Sequence, residues 1–203
     1  NPQWIIPKSI IKMSIVHHVG DHAYFDRHNY FVRERSTGKI VEPENVTREM
    51  LLSANYSVVQ WGGRGNALGR LIFRFDNDYS IYMHDTSSPG VFARTNRMVS
   101  HGCIRVEKPY DLAVFMLKDK DEALMEKIKY SMAADFSERP REYETTDERP
   151  KRSEMVRSLK VDPLVPVYIT YYTLYPDAVG NLVRHEDIYG FDGIIYENIQ
   201  KYL

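Results

Sequence analysis

Three short runs of β-branched and aromatic residues follow one another between positions 57 and 84, each closed by turn-forming residues. Ser57-Val58-Val59-Gln60-Trp61 ends at a loop with four glycines, running from Gly62 to Gly69. Arg70-Leu71-Ile72-Phe73-Arg74-Phe75 ends at Asn77-Asp78, and Ser80-Ile81-Tyr82-Met83-His84 follows. Runs of this length and composition between Gly, Asn and Asp clusters read as strands. The glycine loop is a poor phosphate cradle, because no Lys-Ser/Thr follows it and the next element is a strand. Pro166 to Thr173 reads as the strongest strand of the chain, with a turn at Asp177 to Asn181 and Leu182-Val183-Arg184 as its return. Helices are expected at Thr47 to Ala54, from Pro109 onward, at Asp121 to Tyr130, and at Ile195 to Tyr202. Pro109 suits a first helical position, and Leu112, Phe115 and Met116 form one apolar face. The stretch from about 135 to 157 alternates charge sign and is broken at Pro140 and Pro150, which reads as a solvated loop or frayed helix. Strands dominate, with helices after position 100: a mainly β, α+β chain.

The length of 203 residues suits one domain, or one domain with an insertion. A net charge of -1 lacks the basic excess of a nucleic-acid binder. No segment approaches the ~18–20 apolar residues of a membrane span. The chain starts at Asn1 without an initiator Met or a basic-then-apolar leader, so it reads as a fragment or mature domain of a longer parent. There is one cysteine. It can form no disulfide within the chain and excludes a Cys-rich zinc site. A lone cysteine is by default a small buried hydrophobe.

The neighbours of Cys103 argue against that default. Thiol attack on a peptide carbonyl needs a thiolate, a base and donors for the oxyanion. In Ser100-His101-Gly102-Cys103, Gly102 lets the backbone turn sharply and leaves the sulfur uncovered. The amides of Gly102 and Cys103 can point into the space beside it. Two bases are at hand: His101, two residues away, and His84, at the end of a strand. The strand end and the motif loop can meet if their strands pair side by side.

The pattern His84-x15-Ser100-His101-Gly102-Cys103-Ile104-Arg105 resembles the signature of the YkuD-type L,D-transpeptidases. Over nearly its whole length the chain resembles the large periplasmic YcbB-like branch of that family. Trp4 to Ile10, Asn66 to Arg70, Ile81 to Thr86, Ser100 to Tyr110, Val165 to Tyr171 and Asp187 to Asp192 carry that likeness in order.

The resemblance implies a β-sandwich with a helix after the Cys loop and a lid inserted at about residues 7–56, within a catalytic domain spanning 1–203. It implies Cys103 as nucleophile and His84 as general base, with Asp85 orienting the imidazole through its backbone carbonyl. His101 lines the site, Gly102 and Ser100 shape it, and Arg105 and Tyr82 bind substrate. The guanidinium of Arg105 could grip a carboxylate. His17, His18 and His22 then read as solvated lid residues, and neither metal nor cofactor is expected.

The implied reaction takes D-Ala from a peptidoglycan stem tetrapeptide and passes the acyl group to a diamino-acid amine, giving a 3→3 cross-link. Stem peptides are the expected donor and acceptor, and carbapenem-type β-lactams are expected covalent inhibitors. The implied location is the periplasm or cell envelope. Resolution of the thioester by water (an L,D-carboxypeptidase or amidase), transfer to a lipoprotein lysine, and an inactive wall-binding module are the alternatives.

Overall fold

The computed structural model describes residues 1–63, 65–117, 121–134 and 151–202, with Arg152 described for its backbone alone. The chain divides into two compact units, residues 1–163 and 164–203.

In the first unit a four-stranded antiparallel sheet has the order β1-β4-β2-β3, from β1 (Trp4–Ile5), β2 (Tyr30–Glu34), β3 (Ile40–Val41) and β4 (Tyr56–Gln60). Residues 57–60 of β4 are all buried, as expected for a central strand covered on both faces. One cover is built by α1 (Lys8–Met13), a 3-10 turn (Ile15–His18), α2 (His22–Arg27) and α3 (Arg48–Leu52). Asp21 caps α2 by accepting from the Tyr24 amide at 2.9 Å, and Thr47 caps α3 by accepting from Met50 at 3.2 Å. Ile11, Ile15, Phe25, Val46 and Leu51 from this layer pack on Ile6, Val32 and Val58 of the sheet region. The span 7–56 therefore supplies most of this core cluster. Lys8 reaches across it and donates to the carbonyls of Leu51, Ser53 and Tyr56 at 2.8, 2.6 and 3.2 Å, closing the C-terminal end of α3.

A second sheet of three strands follows: β5 (Ile72–Phe73), β6 (Met83–His84) and β7 (Ile104–Arg105). β5 pairs antiparallel with β6, and β6 pairs parallel with β7. After β7 come α4 (Pro109–Met116), with Pro109 in its first turn, and α5 (Glu122–Ala133), capped by the Asp121 carboxylate. The expected helices at 47–54, from 109 and from 121 are all present. The strands expected at 70–75 and 80–84 shrink to two residues each. Asn77 explains part of that shortening. Its side chain accepts from the amides of Tyr79 and Ile81 and donates to the carbonyls of Phe75 and Ile81, turning the chain where ladder bonds would otherwise run. Helical residues outnumber strand residues among those described, so the α+β expectation holds while the mainly β one does not.

The second unit holds the hairpin of β8 (Leu174–Pro176) and β9 (Leu182–Arg184), then α6 (Phe191–Ile199). The expected turn is present: the Asp177 carboxylate accepts from the amides of Val179 and Asn181 at 2.9 Å each. The expected strand over 166–173 is not formed. The ladder ends one residue beyond β8, where His185 donates to Thr173. Past that point Asp187 and Asp192 accept from the Tyr171 and Thr173 hydroxyls, and the would-be partner chain turns into α6. Tyr168 and Tyr172, within the expected strand, are exposed. The helix expected at 195–202 begins earlier, at Phe191, because Asp187 accepts from the amides of Phe191 and Asp192 and starts it there. The charged stretch at 135–157 lies outside the described residues except for 151–157, where Arg152–Glu154 form a 3-10 turn.

Candidate active site

The parallel pairing of β6 and β7 aligns Met83 with Ile104 and His84 with Arg105. Ile104 donates to the Tyr82 carbonyl at 3.0 Å and Val106 to the His84 carbonyl at 2.8 Å, so the ladder continues to both sides. That register places Cys103 alongside Tyr82. Alternate residues of a strand share a face. Tyr82, His84, Cys103 and Arg105 therefore project from one face of the sheet.

His84 is buried. Its Nδ1 is hydrogen-bonded to the Asp85 carbonyl oxygen. With Nδ1 donating there, Nε2 is the ring atom left to accept a proton. Burial pulls the imidazole below its ordinary pKa of 6.5; the Asp85 carbonyl opposes this and the Arg105 guanidinium reinforces it. His84 is thus held neutral. Tyr82 lies 6.0 Å from it between ring centroids. The Tyr82 phenol is raised above its usual value, first by burial and then by the Cys103 sulfur, with which it also shares a side-chain hydrogen bond.

Asp85 is itself fixed. Its amide donates to the Leu71 carbonyl at 2.9 Å, and its carboxylate accepts from the Arg70 amide at 2.8 Å. The glycine loop delivers that amide through a set of internal bonds. Asn66, fully buried, donates to the Trp61 carbonyl at 2.7 Å and accepts from Leu68 at 2.8 Å, and Gln60 accepts from Ala67 at 2.9 Å. Gly69 closes the loop at φ +61°, where a Cβ would stand 2.6 Å from the Asp85 Cβ. Gly69→Ala is expected to destabilise the protein by about 2 kcal/mol or more, through the left-handed backbone and the overlap with Asp85. It should also slow Cys103 chemistry, because the displaced Asp85 carries the carbonyl that orients His84. Thermal unfolding and thiol alkylation rates read the two effects separately.

Cys103 is half-buried and free. Gly102 before it has φ +127°, a conformation only glycine adopts without strain. The Gly102 amide donates to Ser100 Oγ at 3.2 Å. Among the described residues the Cys103 amide meets no acceptor, which leaves it as the available oxyanion donor. His101 is exposed, and among the described residues no hydrogen bond holds its ring. Arg105 donates through Nη1 to the Val99 carbonyl at 2.7 Å. His17, His18 and His22 belong to the span 7–56, where His18 stacks on Tyr24 at 3.7 Å.

Sequence reasoning missed Gly69, Arg70 and Val99, which act through backbone atoms. The visible signal was the glycine loop, weighed as a phosphate cradle and not as a support for the residue after His84.

Comparison with known proteins agrees with the geometry. The YkuD family, described as the L,D-transpeptidase catalytic domain, matches residues 1–169. A Haemophilus influenzae protein whose name assigns it provisionally to the L,D-transpeptidases is 30% identical over 210 residues. The match covers 100% of this chain and 38% of that relative, so the chain spans well under half of the relative's length.

Proposed function

The chain belongs to the YkuD family of L,D-transpeptidase catalytic domains, and we propose that it cross-links peptidoglycan through a thioester on Cys103. What supports this most is the shared sheet face that sets His84, with an accepting Nε2, beside Cys103 and its unengaged amide. His84 takes the thiol proton. The sulfur attacks the carbonyl of the third residue of a stem tetrapeptide, and the Cys103 amide donates to the oxyanion, a contact worth about 3–4 kcal/mol. The C–N bond to D-Ala breaks as the imidazolium returns its proton to the leaving amine. The side-chain amine of a diamino acid on a second stem then attacks the thioester and loses its proton to His84. The C–S bond breaks, and the thiol is restored with a 3→3 link formed.

The neutral, buried imidazole favours this general-base route over a preformed thiolate–imidazolium pair. Tyr82, in reach of both His84 and Cys103, lines the donor site, and Ser100 holds the turn that presents the sulfur. The span 7–56 serves as a cover that limits hydrolysis of the thioester. A peptidoglycan substrate, outside the cytoplasmic membrane, supports a location in the cell envelope.

Incubation with defined tetrapeptide muropeptides, followed by mass spectrometry, tests the reading. The expected products are free D-Ala, a thioester adduct on the protein and cross-linked dimers. Tripeptides without dimers would assign the acyl group to water and make the enzyme a carboxypeptidase. Failure to release D-Ala would end the proposal. Carbapenem-type β-lactams should leave one adduct at Cys103.

A further inference from the structure

Arg105 stands where β6, β7 and the loop before the nucleophile meet. It is the register partner of His84. Its bond to the Val99 carbonyl spans six residues and ties the entrance of the Ser100–Cys103 turn to its exit. Among the described residues the other hydrogen bonds from the amides and side chains of residues 94–102 reach no further than three residues along the chain. Within that loop the clasp is therefore the restraint that sets where the turn sits on β7. Arg105 Nε is buried and has no acceptor among the described residues. A buried donor without an acceptor is destabilising, so fold stability alone does not account for the arrangement.

We infer that Arg105 is a positioning residue for acyl transfer: by clasping the Val99 carbonyl it holds the Ser100-His101-Gly102-Cys103 turn against β6 and keeps the sulfur within reach of His84. The inference rests on the roles proposed for Cys103 and His84. Gly102, at φ +127°, gives the turn the backbone freedom that the clasp removes. Loosening the turn moves the sulfur relative to the base, and misplacement of about 1 Å costs roughly 100-fold in rate. The guanidinium also adds a fixed positive charge beside His84. Among the described residues the Asp85 carboxylate and the Tyr82 phenol also lie by that ring, Cys103 follows on the same sheet face, and β5 sets Ile72 opposite it.

The test compares Arg105→Gln, Arg105→Lys and the parent chain in D-Ala release from tetrapeptide muropeptides and in alkylation of Cys103 by iodoacetamide. Arg105→Gln should lower kcat by about 10- to 100-fold with KM within about twofold, and should slow alkylation as well. Its alkylation profile should lose rate at higher pH than the parent's, because the cation that disfavours imidazolium is gone. Arg105→Lys keeps the cation but not the planar reach to Val99. Its kcat should fall while the acid limb stays where the parent's lies. Added ethylguanidinium should restore part of the lost rate to Arg105→Ala.

A raised KM with parental kcat and parental alkylation would show a grip on substrate instead, and would overturn the inference. Parental values of both constants in either variant would overturn it too. If the Gln and Ala variants melt below the assay temperature, Arg105→Lys decides alone by the same split. Loss of D-Ala release in the parent chain would instead mark failure of the proposed function. Iodoacetamide kinetics remain readable in that case, so the two failures are distinguishable.

Discussion

Cys103→Ala should abolish D-Ala release and carbapenem capture while leaving the fold in place. The chain has one cysteine, so intact mass after treatment with a thiol electrophile should fall from one adduct to none. No second nucleophile can replace it on that sheet face. Its companions there are Tyr82, held protonated by burial and by the sulfur itself, and His84 and Arg105, which serve as base and cation. Removing a covalent route deletes both halves of the reaction, so activity should drop below detection rather than by a modest factor. The stability cost should be small. The side chain is half-buried, its partner is a tyrosine hydroxyl that can turn to water, and alanine keeps the Cβ, so about 1 kcal/mol or less is expected. Measurable D-Ala release by a folded Cys103→Ala protein would remove Cys103 from the mechanism.

What the sequence disclosed about this site was what lies contiguous in the chain. Ser100-His101-Gly102-Cys103 can be recognised because a turn, a small residue and a nucleophile sit together. Thr47 and Asp121 announce the starts of α3 and α5 because a cap acts within three residues. Partnerships across the chain were hidden. The parallel register of His84 with Arg105 joins residues 21 positions apart, and the side-by-side pairing of strands was only a condition from sequence. The tie between Gly69 and Asp85 was invisible for the same reason: nothing local distinguishes a glycine that yields to a carboxylate from one that merely turns a loop. The misread strand at 166–173 shows the opposite error. Its composition favours extended backbone, but a strand needs a partner, and the partner chain is diverted by Asp187 and Asp192 into α6. His101 entered both as the base nearest to Cys103 in sequence and through the family resemblance; it is exposed, with the positive-φ Gly102 between it and the sulfur.

His84→Gln should lower the rate of Cys103 acylation by about 10²- to 10⁴-fold, the usual worth of a positioned general base. The pH behaviour makes the prediction specific. Burial and the Arg105 cation disfavour the imidazolium more than the Asp85 carbonyl and carboxylate favour it, so the ring titrates below 6.5 in the folded protein. The acid limb of the acylation rate should therefore lie below pH 6.5 in the parent chain. The same depression links to stability. Above pH 6.5 the ring is neutral whether the protein is folded or unfolded. As pH falls below that value the unfolded chain takes up the proton first, so the folded state loses stability until its own imidazole protonates. His84→Gln removes that dependence. Thermal unfolding followed from pH 7.5 to 5 should show a smaller acid loss in the variant than in the parent, once the losses common to both are subtracted. An acid limb above pH 6.5 would mean a stabilised imidazolium, and with it a thiolate–imidazolium pair in place of a neutral base. Equal acid losses in the two proteins would mean that His84 is not held neutral by its surroundings at all.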